Sequence, residues 1–184
     1  MRFEGPKGSS SITVIDDPSY VLPGGSATGG AQPRELDLAG GYKPSSIYVV
    51  TCALGEGDTA SIAISVAAGA TRVHDESVVM MGDRCIVGVG DQLVCLAIPS
   101  LDVRWHQRGD AYTVFGVYLV SDEQAVIVHG EGQLSRWTTE GVQVWHFGGR
   151  DILTGGVTVS ADVIVVQDFN DEEYCIDPRT GRML

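Results

Sequence analysis

Short apolar runs, broken at regular places by Gly, Asp, Asn and Ser, are the main pattern in the second half of the chain. Three of them are CIVGVGD (85–91), AVIVHGEG (125–132) and VIVVQDFND (163–171). Runs of this length, rich in Val and Ile and bounded by turn residues, predict β-strands joined by tight turns. A helix competes only at ASIAISVAAG (60–69), where alternating β-branched residues favour a strand.

The segments that follow these turns form a repeat. They are QLVCLAIPSLDVRW (92–105), QLSRWTTEGVQVW (133–145) and EEYCIDPRTGRML (172–184). Trp105 and Trp145 are forty residues apart, as are Gly141 and Gly181. Strand-like segments also precede each turn, so each unit contains four short strands. Four antiparallel strands in a unit of this length predict a β-propeller blade.

The stretch YCIDPRTGRML (174–184) resembles the repeat of quinoprotein-like (PQQ-like) β-propellers, and residues 76–184 hold three such units. The resemblance implies that Asp177 starts a turn, that Gly181 completes it with positive φ, and that the Trp of the first two units covers the space between sheets. Closed propellers generally need at least four blades. Three units are too few for a closed ring, so we expect an incomplete one. No ligands for a quinone can be assigned, so we expect no cofactor.

Residues 1–75 are expected to cap or complete this stack. SSITVID (10–16) predicts a strand, and SSIYVVTCAL (45–54) and ASIAISVAAG (60–69) predict a strand pair joined by GEGD. PGGSATGGAQP (23–33) has nothing to bury and is expected to be a flexible loop. The predicted fold class is all-β: an incomplete or small propeller-like stack of four-stranded antiparallel sheets with an N-terminal β cap.

Acidic residues outnumber basic ones two to one. The 184 residues include 24 Asp and Glu and 12 Lys and Arg, which gives a formal net charge of −12. Such a surface repels nucleic acid and anionic membranes and favours a basic protein partner. The sequence contains neither a signal-peptide pattern nor an apolar run of the length that spans a bilayer, so a cytoplasmic protein is expected.

Four cysteines are scattered without a C-x-x-C pair, which argues against a zinc site or a disulfide framework. Buried free thiols are expected. If CIVGVGDQLVCL is a hairpin that turns at GD (90–91), Cys85 lies opposite Leu96 and Cys95 lies opposite Ile86. The two sulfur atoms then point to opposite faces of the sheet.

Catalytic motifs are absent from the sequence. No G-x-S-x-G elbow, P-loop or H-E-x-x-H occurs, and GVGDQL (88–93) lacks the spacing of a dinucleotide-binding fingerprint. His106 and His146 each follow the repeated Trp, so the repeat explains them. His74 and His129 have no readable partner, and a hydrogen-bonded or exposed position is expected for each.

The acidic run DFNDEE near the end of the chain is the best candidate for a site. Asp168, Asn170 and Asp171 offer the oxygen ligands that suit Ca²⁺, although a solvated acidic hairpin tip is the simpler interpretation. Together with Glu172 and Glu173, the same tip is a candidate docking patch for a basic protein.

Aromatic residues are expected to pack between the sheets. This expectation applies to Trp105, Trp145 and the aromatic residues of AYTVFGVY (111–118). Trp137 stands where the other units have an aliphatic residue, and its larger side chain makes it a candidate contact residue.

Two functional hypotheses follow. The first is a non-catalytic protein-interaction module, immunity- or adaptor-like, with Trp137, Asp171, Glu172 and Glu173 as interaction residues. The alternative is a small-molecule or carbohydrate-binding protein, or a hydrolase, with a site built from loops. A concave cluster of His, Asp and Glu favours the alternative, and a flat acidic surface favours the first. A homodimer paired through sheet edges is a further hypothesis, because three units leave edges to cover.

Overall fold

The computed structural model describes residues 1–4, 11–20, 34–53, 59–120 and 125–184. Within these ranges the regular structure consists of sixteen β-strands and one 3₁₀ turn, Asp75–Ser77. The all-β fold class is confirmed. The predicted flexible loop (23–33) and the GEGD turn (55–58) lie outside the described residues.

Sheet I is formed by the N-terminal segment. Its strands are β1 (Arg2–Glu4), β2 (Ser11–Asp16), β3 (Arg34–Asp37), β4 (Ser46–Ala53) and β5 (Thr59–Val66). They lie in the order β1-β2-β4-β5-β3 and are antiparallel except for β3, which runs parallel to β5 at the outer edge. The two strands predicted on either side of GEGD are β4 and β5, and they pair as expected.

Sheets II, III and IV contain the three repeated units, each an antiparallel meander in chain order. Sheet II contains β6 (Val78–Met81), β7 (Arg84–Val89), β8 (Gln92–Ala97) and β9 (Val103–Arg108). Sheet III contains β10 (Val114–Leu119), β11 (Ala125–Gly130), β12 (Leu134–Thr138) and β13 (Gln143–Phe147). Sheet IV contains β14 (Val157–Val159), β15 (Ile164–Gln167) and β16 (Glu173–Ile176). The fourth strand of sheet IV is reduced to a single bridge between Ile176 and Met183.

Three apolar layers join the four sheets into a stack, in the order I, II, III and IV. Side chains alternate between the two faces of a strand, so sheets II and III bury both faces. This explains why β7 and β11 are apolar along nearly their whole length. The innermost strands lie along one side of the stack, where β6 contacts both β1 and β10.

The repeated tryptophans occupy equivalent places. Trp105 and Trp145 each donate the indole N–H to a carbonyl oxygen in the outer turn of the next sheet, at 2.8 and 3.2 Å. Gly141 and Gly181 lie beneath these rings, and both have positive φ. A Cβ at Gly141 would lie 2.7 Å from the Trp105 ring. The register of the repeat is therefore confirmed.

The cysteine geometry also follows the prediction. Cys85 pairs with Leu96 and Cys95 with Ile86 in the β7–β8 hairpin. Cys85 belongs to the layer between sheets I and II and Cys95 to the layer between sheets II and III, so their side chains lie on opposite faces. Burial raises the pKa of the Cys95 thiol to about 11, which keeps this thiol protonated near neutral pH.

Candidate functional site

The turns β7–β8, β11–β12 and β15–β16 are called the inner turns. They lie at the same end of the stack as the linkers between sheets, because each antiparallel strand reverses the direction of the chain. We call this end the loop face. Its described segments are 38–45, 67–70, 90–91, 109–113, 131–133, 148–153 and 168–172. The outer turns 139–141 and 177–181 lie at the opposite end.

Backbone hydrogen bonds join segments of the loop face into a belt. In sheets II, III and IV, an amide of the inner turn donates to the linker before the sheet. In sheets II and III, a carbonyl oxygen of the turn also accepts from the segment that leads into the next sheet. The bonds, at 2.7–3.2 Å, are Asp91 N to Ala68 O, Val114 N to Gly90 O, Glu131 N to Thr113 O, Leu153 N to Glu131 O and Phe169 N to Ile152 O. The belt fixes the relative positions of loops from all four sheets.

Asp110 connects two segments of the belt through its side chain. Its carboxylate is 2% exposed and accepts backbone N–H bonds from Tyr112, Thr113, Gly132 and Gln133 at 2.7–3.2 Å. The carboxylate thereby ties the linker after sheet II to the inner turn of sheet III. Backbone amides satisfy this buried charge, as a buried carboxylate requires.

Three aromatic side chains project from the loop face. Tyr42, Tyr112 and Phe169 are 77%, 57% and 67% exposed, and they are the only exposed aromatic residues in the described part of the chain. The Tyr112 ring lies over Gly132, where a Cβ would be 3.2 Å from the ring. The expectation that Tyr112 packs between sheets is wrong, because this residue lies in a linker ahead of β10. The other aromatic residues of that segment are half-buried.

Most charged groups at the loop face are acidic. Arg108 pairs with Asp91 at 2.9 Å, and Arg150 pairs with Glu172 at 3.1 Å, so local carboxylates neutralise both arginines. Further carboxylates on or beside this face are Glu131, Asp151, Asp171 and Glu173, and a further cation is Lys43. The ionised groups of the loop face therefore give it a net negative charge.

Asp168 is the anchor of the acidic tip. Its carboxylate accepts hydrogen bonds from Asn170 N, Glu172 N and the Tyr174 hydroxyl at 2.8–3.0 Å. Burial alone raises the pKa of Asp168, but these hydrogen bonds outweigh burial and lower it. The described residues contain no group of three His, Cys, Asp or Glu that could hold a metal ion. The geometry of Asp168, Asn170 and Asp171 is thus that of a hydrogen-bonded hairpin tip.

Three of the four predicted interaction residues lie at the loop face or beside it. Asp171 and Glu173 are exposed, and Glu172 is half-buried against Arg150. Trp137 is 4% exposed in the layer between sheets II and III and donates its indole N–H to Ser135. Trp137 faces the preceding sheet from β12, so it contributes to the core and offers no surface to a partner.

The four histidines do not form a cluster. His106 and His146 lie on the outer strands β9 and β13 at equivalent positions of the repeat, as predicted. His74 precedes the 3₁₀ turn and caps it. His129 is buried, with Nε2 2.7 Å from Leu153 O, and burial lowers its pKa.

A cleft of about 480 Å³ lies beside the innermost strands. It is lined by residues of β1 and β6 and by Leu119, and most of its lining is apolar. An exposed pair, Arg2 and Glu4 at 3.6 Å, stands at its side. No helix in the described part of the chain is long and apolar enough to cross a membrane.

No protein-family model matches this sequence, and no curated protein matches it. The chain is similar to the computationally designed protein Ika4, with a TM-score of 0.51 and 15% identity over 61% of this chain and 72% of that chain. It is also similar to the computationally designed protein Ika8, with a TM-score of 0.53 and 14% identity over 74% of this chain and 45% of that chain.

The WD40 repeats of RRP9 match with a TM-score of 0.49 and 12% identity over 61% of this chain. This chain covers 39% of the RRP9 chain and 45% of Ika8, less than half of each. At these identities the likeness concerns the fold alone. The fold is a β-propeller-like stack of antiparallel sheets.

Proposed function

We propose that this protein is a non-catalytic interaction module whose loop face binds basic and apolar groups of another protein. The observation that carries the proposal is the placement of Tyr42, Tyr112 and Phe169, which are all exposed and all lie at one end of the stack. Aromatic rings bury much area and lose little conformational entropy on binding, which makes them frequent anchors of interfaces.

The fixed backbone of the loop face supports the proposal. The belt of backbone bonds and the Asp110 carboxylate hold Tyr112 and its neighbouring turn in one conformation. A partner meets loops that are already in place, so association loses less entropy to loop ordering.

The charge of the loop face indicates a basic partner. The whole chain has a net charge of −12, and Arg108 and Arg150 are both paired with carboxylates. A basic protein surface is attracted over long range and can place a cationic side chain beside Glu131 or Asp171. An immunity- or adaptor-like role, in which this protein covers a basic surface of another protein, is part of the proposal.

Two finer assignments belong to the same proposal. The free thiols of Cys52, Cys85 and Cys95 are buried, which suits the reducing cytoplasm. A relation to quinoprotein-like repeats is supported by the Asp177 turn, where Oδ1 accepts the N–H of Arg179 at 2.7 Å, and by the φ of +71° at Gly181. The proposed relation concerns the repeat alone and does not include binding of a quinone.

Affinity capture with matched variants tests the proposal. The immobilised full chain is exposed to a lysate of the source cells, and bound proteins are identified by mass spectrometry. The loop-face variant replaces Tyr42, Tyr112 and Phe169 by Ala. The control replaces Val103, Leu119 and Met183 by Ala, because these are exposed apolar residues away from the loop face.

We expect a partner that binds the wild type and the control, is lost with the loop-face variant, and binds less at high salt. Equal capture by both variants would contradict the proposal. If the wild type captures no protein and a small ligand raises its melting temperature, the alternative of a small-molecule or carbohydrate-binding protein, or a hydrolase, is favoured. The cleft lined by β1, β6 and Leu119 would then be the first place to examine.

A further inference from the structure

The outermost strands of the sheets differ in their protection against edge-to-edge pairing. Natural sheet edges are commonly protected by charged side chains. The outer strand of sheet I, β3, reads RELD, and the outer strand of sheet II, β9, reads VRWHQR. The outer strand of sheet III, β13, reads QVWHF and contains no Asp, Glu, Lys or Arg.

The edge at β13 also exposes apolar side chains. Val142 and Val144 are 60% and 53% exposed. Val144 directly precedes the repeated Trp145, and the equivalent residue before Trp105 in β9 is Arg104. Sheet III therefore lacks a charge where sheet II has one.

The backbone of this edge is available for pairing. One side of β13 pairs with β12 from Gln143 to Phe147, with a register shift at Val144. Strand β9 has the same shift at Arg104, so this irregularity does not distinguish the two edges. No strand in the described part of the chain pairs with the other side. The outward N–H and C=O groups of β13 thus form a ladder without a partner strand, lined by residues of high β-propensity.

We infer that β13 pairs antiparallel with β13 of a second copy of this chain and forms a symmetric dimer. Two antiparallel copies of one strand offer each other the same donors and acceptors, as a two-fold axis requires. The charge pattern favours a second copy as the partner of β13. Two chains of net charge −12 repel each other least where they contact through a strand without ionised groups. The dimer leaves the loop face free, so it does not rest on the proposed function.

The proposed dimer has a characteristic salt dependence. The negative charges of the two copies repel each other outside the uncharged strand β13, and salt screens this repulsion. Dimerisation therefore strengthens as salt is added. Binding of a basic partner at the loop face changes in the opposite direction, which separates the two interactions.

Sedimentation equilibrium of the full chain, over a wide range of protein concentration, tests the inference. The wild type is expected to approach twice the monomer mass at high concentration. Val144→Arg gives sheet III the charge that sheet II has at Arg104, and it is expected to raise the dissociation constant at least about tenfold. Ile15→Arg places the same charge on an exposed apolar site away from the edge and should leave the mass unchanged.

Hydrogen exchange of the wild type locates the contact without any substitution. Amides of residues 142–148 should exchange more slowly at high protein concentration. A monomeric wild type at every concentration, or a Val144→Arg variant that dimerises as well as the wild type, would overturn the inference. Slower exchange confined to other strands would overturn the assignment to β13.

Discussion

Replacement of Asp110 by Ala should strongly destabilise the protein. The carboxylate accepts hydrogen bonds from four backbone amides, of which the Thr113 amide is buried and the others are partly buried. An unpaired buried donor costs about 1–3 kcal/mol, and a partly buried one costs less because water replaces the lost acceptor. One full penalty of about 2 kcal/mol and three of about 0.7 kcal/mol lower the free energy of unfolding by about 4 kcal/mol.

Urea denaturation of three variants measures this loss. Asp110→Asn keeps one acceptor oxygen and should lose about half as much stability as Asp110→Ala. Asp102→Ala removes an exposed carboxylate that pairs with Arg34, and it should cost less than about 1 kcal/mol. Gly130→Ala places a methyl group against the Asp110 carboxylate and should also destabilise the protein. An Asp110→Ala variant within 1 kcal/mol of Asp102→Ala would refute the role given to the belt.

The remaining predictions concern one glycine and one histidine. Gly141→Ala should lower the free energy of unfolding by about 2 kcal/mol or more, because the φ of Gly141 is +80° and a Cβ meets the Trp105 ring. A Cβ at Gly156 has free space, so Gly156→Ala should change the free energy of unfolding little. Urea denaturation measures both values. Burial lowers the pKa of His129 below its unfolded value, so stability is present above about pH 6.5 and falls at lower pH, by at most about 1.4 kcal/mol per pH unit. His129→Gln should reduce this slope between pH 7 and pH 5, and an unchanged slope would assign the effect to other groups.

The sequence was most informative where local constraints repeat. The forty-residue spacing of Trp105 and Trp145 located the outer strands, because each indole must cover the outer turn of the next sheet. The hairpin register at Cys85 and Cys95 followed from the turn position alone. Such features depend on few neighbouring residues, so they can be read before the tertiary structure is known.

Long-range pairing was harder to predict. The strand β3 is short and charged, and it pairs in parallel with β5. The two strands are separated in the sequence by β4, and no sequence pattern indicates that they pair. No apolar alternation marks such an edge strand. The spacing of the repeat predicts a fourth strand in the third unit, and the structure has a single bridge at Met183 in its place.

The loop face could be predicted only in part. Charge alone locates the acidic tip at Asp171 and Glu172, whereas the sequence pattern predicts a core position for Tyr112 and does not single out Phe169. The available signal was that both aromatic residues lie outside the strand pattern, in a linker and a turn. The buried role of Asp110 had no signal in the sequence, because its amide partners lie up to 23 residues away.

Hydrogen exchange of this protein with and without its captured partner most directly tests whether the loop face is the binding surface. We expect slower exchange in segments 38–45, 109–113, 131–133 and 168–172, with the outer turns 139–141 and 177–181 unchanged. Protection confined to the outer turns, or to the cleft beside β1 and β6, would contradict the assignment of function to the loop face.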